Sequence, residues 1–108
     1  MESLEDRCLL ATITEVRVSV GSDDAEERVS GNTTLNSSDL ELVFDSGGDQ
    51  TVGMRFSGVD IPQGATILST YVQFEADETN AVATSLTIQG EAIDDAPSFS
   101  ASSGNITS

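Results

Sequence analysis

Residues 50–78, QTVGMRFSGVDIPQGATILSTYVQFEADE, decide the class of this fold. Two period-two runs flank a turn. In the first, Val52, Met54 and Phe56 alternate with Gly53 and Arg55; in the second, Leu68, Val72, Phe74 and Ala76 alternate with Ile67, Tyr71, Gln73 and Glu75. Successive side chains of a strand point to opposite faces, so each run reads as a strand with an apolar side, the first expected to turn Val52, Met54 and Phe56 inward. Between them Pro62 has no N–H for a ladder and Gly64 tolerates positive φ, which places a loop at SGVDIPQGAT.

Working outward, Leu40, Leu42 and Phe44 alternate with Glu41 and Val43, and DSGGDQ turns the chain back, so this strand and the run from Gln50 to Phe56 are expected to form a hairpin. TITEVRVSV, residues 12–20, alternates through Val16, Val18 and Val20 and reads as the first strand. DDAEERVSG is a second, poorly hydrophobic extended stretch. SLTIQGEA supplies one more strand through Leu86 and Ile88. Beyond Ala92 only Phe99 and Ile106 look like core anchors, and no closing strand is evident. No helical period persists anywhere. Short strands separated by turn residues predict an all-β antiparallel β-sandwich, jelly-roll-like and incomplete at its C-terminus, over residues 12–108.

With 108 residues the chain is one domain, and a domain of that size buries only about two-thirds of its unfolded surface. Its formal net charge of -15 sets 19 Asp and Glu against four arginines, with no lysine or histidine. Nucleic-acid binding is thereby excluded, because phosphate neutralisation needs clustered cations. No run is apolar and long enough for membrane insertion. Without histidine there is no His-centred triad and no His-ligated zinc, and the lone Cys8 makes no intrachain disulfide. The inventory of an active site is missing, and the chain is read as no enzyme.

Two readings of the acidity stand: solubility in a salty external medium, or capture of a divalent cation. Asp23, Asp24, Glu26 and Glu27 are the candidate ligands of a structural calcium ion, the other reading of this cluster being a solvated edge that discourages aggregation. Asp45, Gly47, Gly48 and Asp49 read as a hairpin turn rather than a calcium loop, while Asp77, Glu78 and Asn80 form a further acidic loop and Asp94 and Asp95 an acidic pair. For a polysaccharide ligand, Tyr71 is the one aromatic that is not phenylalanine and lies on the outer side of its strand, where a sugar ring could stack on it. Arg55 could meet an acidic sugar through its planar guanidinium, or pair with a neighbouring carboxylate. The sequons at Asn32, Asn36 and Asn105 follow from composition.

Two resemblances add to this. Leu4, Glu5, Asp6, Arg7, Cys8, Leu9, Leu10 and Ala11 resemble the LEDRCLLA-type export motif near the N-termini of planctomycete surface and secreted proteins. In such proteins an Arg-rich stretch precedes the motif, which implies a start codon upstream of Met1 and an extracellular or cell-surface location, with residues 1–11 an address rather than part of the fold. The stretch from Asp24 to Glu78, through DDAEE, SSDLELV, QTVGMRFSGVDIPQGATI and STYVQFEADE, resembles the DNRLRE-type modules. These are β-sandwich domains appended to bacterial surface proteins and polysaccharide-degrading enzymes. The resemblance implies a jelly roll, a truncated module whose final strands lie beyond this chain, partner domains in a longer surface protein, and an acidic polysaccharide such as alginate as ligand; it assigns no binding residue. The function expected is a non-catalytic accessory module that binds polysaccharide, and the alternative is a structural spacer or adhesion domain with no small-molecule ligand.

Overall fold

The computed structural model describes residues 12–108; the export-motif-like segment 1–11, with Cys8, lies outside the described residues. Among the described residues, regular structure begins at a single 3-10 turn, Gly21–Asp23, and continues into strand β1, Asp24–Arg28. Then come β2, Thr33–Thr34, β3, Phe44–Asp45, and β4, Gly48–Met54. They form one antiparallel sheet in the order β2-β1-β4-β3. The chain is all-β.

The hairpin between β3 and β4 follows from its turn residues. Asp45 pairs with Gly48, leaving Ser46 and Gly47 as the two-residue loop, with φ of 51° and 82°. Two successive positive φ values mark a type I′ turn, whose twist matches that of the flanking strands. The strand expected from Leu40 to Phe44 is cut to its last residue because Val43 takes φ of 66°, a left-handed conformation unusual for a β-branched side chain. Its carbonyl still accepts the Gln50 N–H at 3.0 Å, so pairing stops one step short of Leu42. At Pro62 the expected turn is present: the Ala65 N–H meets the Pro62 carbonyl at 3.1 Å, with Gly64 at φ 82°.

The centre of the sheet is the poorly hydrophobic DAEER of β1, not the valine run before it. Residues 12–20 join no ladder, and Ile13 is exposed. Alternation alone does not make a strand; main-chain groups must find a partner edge, and β1 finds two. Against β4 it pairs Ala25 with Gly53 and Glu27 with Thr51 on one face, and Asp24 with Met54 and Glu26 with Val52 on the other. Residues 66–76 and 85–92 form no strand either, and Leu68, Tyr71, Val72, Phe74, Leu86 and Ile88 are exposed. The radius of gyration, 17.6 Å, exceeds the ~13 Å of a compact chain of this length for the same reason: residues 55–92 run outside the sheet.

The inward side of β4 also differs from the expected one. Gly53, expected outward, is buried, whereas Val52 and Met54 are half-buried and Phe56 is exposed. The C-terminal segment causes this. The Phe99 N–H bonds the Ser22 carbonyl and the Gly104 N–H bonds the Gly31 carbonyl, both at 2.8 Å, which lays Phe99 and Ile106 over Gly53. Among the described residues Ala25 alone is a buried apolar residue, at 1% exposure, while Asp23, Glu26, Glu27, Thr33 and Gln50 are buried and polar.

A Cβ at Gly53 would stand 2.6 and 2.8 Å from two carbons of the Phe99 ring and 3.3 Å from Ile106 Cδ1. Gly53→Ala is expected to lower stability by about 1–3 kcal/mol through overpacking. In a Phe99→Ala background the same substitution should cost almost nothing, which urea unfolding of the double-mutant cycle checks.

Candidate functional site: an acidic strand held by its own chain

A carboxylate removed from water keeps its charge only if donors replace the water. Each acidic residue around β1 can be followed to its donors on that basis. Asp23, 4% exposed, takes the Arg55 guanidinium at 2.8 Å, and its carbonyl takes the Arg55 main-chain N–H at 2.7 Å. Arg55 Nε also donates to the Ala96 carbonyl at 2.7 Å, so one side chain ties the 3-10 turn, the end of β4 and residue 96 together.

On the Asp24 and Glu26 face, Glu26 Oε2 accepts from Gln50 Nε2 at 2.6 Å and from the Glu41 N–H at 3.0 Å. Gln50 also donates to the Glu41 carbonyl. Burial alone would raise the Glu26 pKa, but the bonds from Gln50, Glu41 and Ser37 outweigh it and hold this carboxyl below its ordinary value. Glu41 moves upward, first because its carboxyl hydrogen-bonds Glu26 and then through burial and nearby negative charge. The two shift in opposite directions, so on acidification Glu41 takes up a proton before Glu26 does. Asp24 is raised as well, by burial and then by the charges of Asp23 and Glu26.

On the opposite face, Glu27 is 3% exposed and clasps the C-terminal segment. Its Oε1 accepts the Ile106 N–H at 2.7 Å and the Thr107 N–H at 3.3 Å, and Oε2 accepts the Thr107 hydroxyl. Burial pushes its pKa up, but the bonds from Thr107 and Ile106 prevail and hold it below its ordinary value. No described buried side-chain polar atom lacks a partner.

The four residues expected to hold calcium therefore do not converge. Glu26 and Glu27 point to opposite faces, Asp23 answers Arg55, and among the described residues no group of three or more Asp, Glu or Cys is arranged around a cation position. Asp45 and Asp49 belong to the hairpin, with Asp45 paired to Arg28 at 2.7 Å. In the loop of Asp77, Glu78 and Asn80, the Asn80 side chain accepts the Val82 N–H at 2.8 Å. Asp94 and Asp95 line an open cleft of about 480 Å³ together with Arg55, Phe56, Glu91 and Phe99. Tyr71 is not part of that lining and stands 81% exposed elsewhere, so the structure does not bring Tyr71 and Arg55 into one pocket.

Sequence reasoning missed Gln50, Glu41 and Thr107 as partners of the acidic strand. The partners of Glu27 lie 79 and 80 residues away in the chain, beyond the reach of any local pattern. None of the described helices is long and apolar enough to cross a membrane. Comparison with protein-family models, curated proteins and solved structures gives no match.

Glu26 and Glu27 have folded-state pKa values below the ordinary 4.5, so their contribution is complete above that value and disappears as the pH falls through their folded values. Asp24 and Glu41 shift the other way and partly offset this loss. The urea midpoint is expected to drop on acidification below about pH 4.5. Glu27→Ala should remove about 2–3 kcal/mol at neutral pH, and its curve should converge on that of the parent in acid. Because protein donors already meet these carboxylates, a chelator is expected to leave the melting temperature unchanged; a chelator-induced drop would reveal a bound cation.

Proposed function

We propose that the chain is a non-catalytic accessory module of an exported bacterial surface protein, a β-sandwich of jelly-roll type that presents Tyr71 to polysaccharide. The observation that carries this reading is the contrast between Tyr71 and the buried acidic groups. Tyr71 is 81% exposed and outside the sheet, free to stack on a sugar ring, whereas Asp23, Glu26 and Glu27 are engaged in holding the chain together. A glycosidase would need two carboxyls facing each other across a cleft, available to substrate. The likeness of residues 24–78 to the DNRLRE-type modules supports the jelly roll, the partner domains and an acidic polysaccharide; the export-like motif supports the extracellular location.

The engagement of Arg55 favours a second reading. Two of its guanidinium nitrogens already bond Asp23 and Ala96, which weakens its claim on an acidic sugar and leaves Tyr71 with less support. A spacer or adhesion domain without a small-molecule ligand is that alternative.

Electrophoresis through gels containing alginate or a neutral glucan separates the two. The binding reading expects retardation in at least one gel and a roughly five- to tenfold weaker interaction for Tyr71→Ala, the loss of one stacking contact, with the urea midpoint unchanged. Migration unaffected by every glycan would leave the spacer reading in its place.

A further inference from the structure

We infer that residues 65–76 are a self-association strand, pairing antiparallel with the same residues of a second copy of this chain. The stretch has the makings of a strand and lacks only the other strand. No residue from 65 to 92 has positive φ, and from 66 to 90 no main-chain group bonds the main chain of a described residue. Leu68, at 81% exposure, and Ile67, Tyr71, Val72 and Phe74 are all exposed. An extended apolar segment with free N–H and C=O groups is a template for another strand.

Charge selects the occupant. The chain carries -15, so two copies repel over most of their surfaces, yet no charged residue lies between Asp60 and Glu75. It is the longest uncharged stretch of the chain, and along it main chain from each copy can come together without setting carboxylate against carboxylate. The register follows from the same rule. With Tyr71 opposite Tyr71 of the second copy, Leu68 faces Phe74 and Thr70 faces Val72, so the apolar face continues across both copies. Glu75 then meets Ile67, and Asp77 meets Ala65, leaving no like charges opposed. A register centred on Glu75 would oppose the two Glu75 carboxylates and is disfavoured. The pairing also sets the two Tyr71 side chains next to each other on one face. This association stands whether or not the module binds a glycan.

The test is sedimentation equilibrium of the full chain in a Cys8→Ser background, at about 0.15 M salt to screen the remaining repulsion. A concentration-dependent dimer is expected, weakened at least tenfold by Tyr71→Glu, which opposes two carboxylates at the centre of the pairing. Tyr71 is exposed, so this variant should keep the parent's circular dichroism spectrum. Under mild oxidation Tyr71→Cys should give a disulfide-linked dimer, since directly opposed strand residues fall within disulfide reach, and Thr70→Cys should not. A monomer at every concentration, as pairing with residues 85–91 of the same chain would give, overturns the proposal. So does a dimer indifferent to Tyr71→Glu, or cross-linking at Thr70→Cys equal to that at Tyr71→Cys.

Discussion

The structure depends on one constraint: a strand carrying three acidic residues in five occupies the middle of the sheet, and its carboxylates must be met by donors. An unmet buried carboxylate would cost several kcal/mol, more than most single contacts return. The solution differs by face. Glu26 is met by an amide side chain from β4 and a main-chain N–H from residue 41, and Glu27 by two main-chain N–H groups and a hydroxyl from the C-terminal segment. These bonds fix the course of segments that have no regular structure of their own. Remove Glu27, and residues 106 and 107 lose the acceptor that positions them over Gly53.

Apolar burial plays a smaller part than the composition suggests. Gly53 lets the Phe99 ring approach the sheet to a distance that any Cβ would block, so a missing side chain shapes the covered face. The polar bonds bring the covering segment to the sheet, and the fit of Phe99 and Ile106 on Gly53 sets how closely it lies. Both steps are needed, because the main-chain bonds at Ser22 and Gly31 alone would hold the segment without deciding which side chains touch.

What could be read in the sequence were the features with local causes. SGG specifies its hairpin through two positive φ values, and Pro62 with Gly64 specifies its turn. Both are decided within four residues. Phe99 and Ile106 could be picked out because the tail around them is otherwise polar. Val16, Val18 and Val20 join no strand, since their alternation describes a face and carries no information about a partner edge. DAEER is the opposite case: its residues look like surface until their donors are known, and those donors come from residues 41, 50, 106 and 107. Tyr71 is exposed, but so are Leu68, Val72 and Phe74 on the side expected to face inward, so its exposure does not follow from a strand phase. Asp23, Asp24, Glu26 and Glu27 are neighbours in sequence, but adjacent strand residues point apart, and Glu26 and Glu27 lie on opposite faces of the sheet.

The use of main-chain and amide donors follows from the charge imbalance. With 19 carboxylates and four arginines, ion pairing can neutralise only a minority, and the described residues contain two ion pairs, Arg28 with Asp45 and Arg55 with Asp23. Uncharged donors are not limited in this way, since every non-proline residue brings an N–H. They also respond differently to the medium. Salt screens the exposed carboxylates and relieves their mutual repulsion, but it weakens a buried bond such as Glu27 to Ile106 far less. The two effects act together: rising ionic strength removes a destabilising term from the surface while leaving the interior contacts in place. Such a chain is expected to gain stability as ionic strength rises, because Glu26 and Glu27 keep their uncharged donors while the surface repulsion is screened.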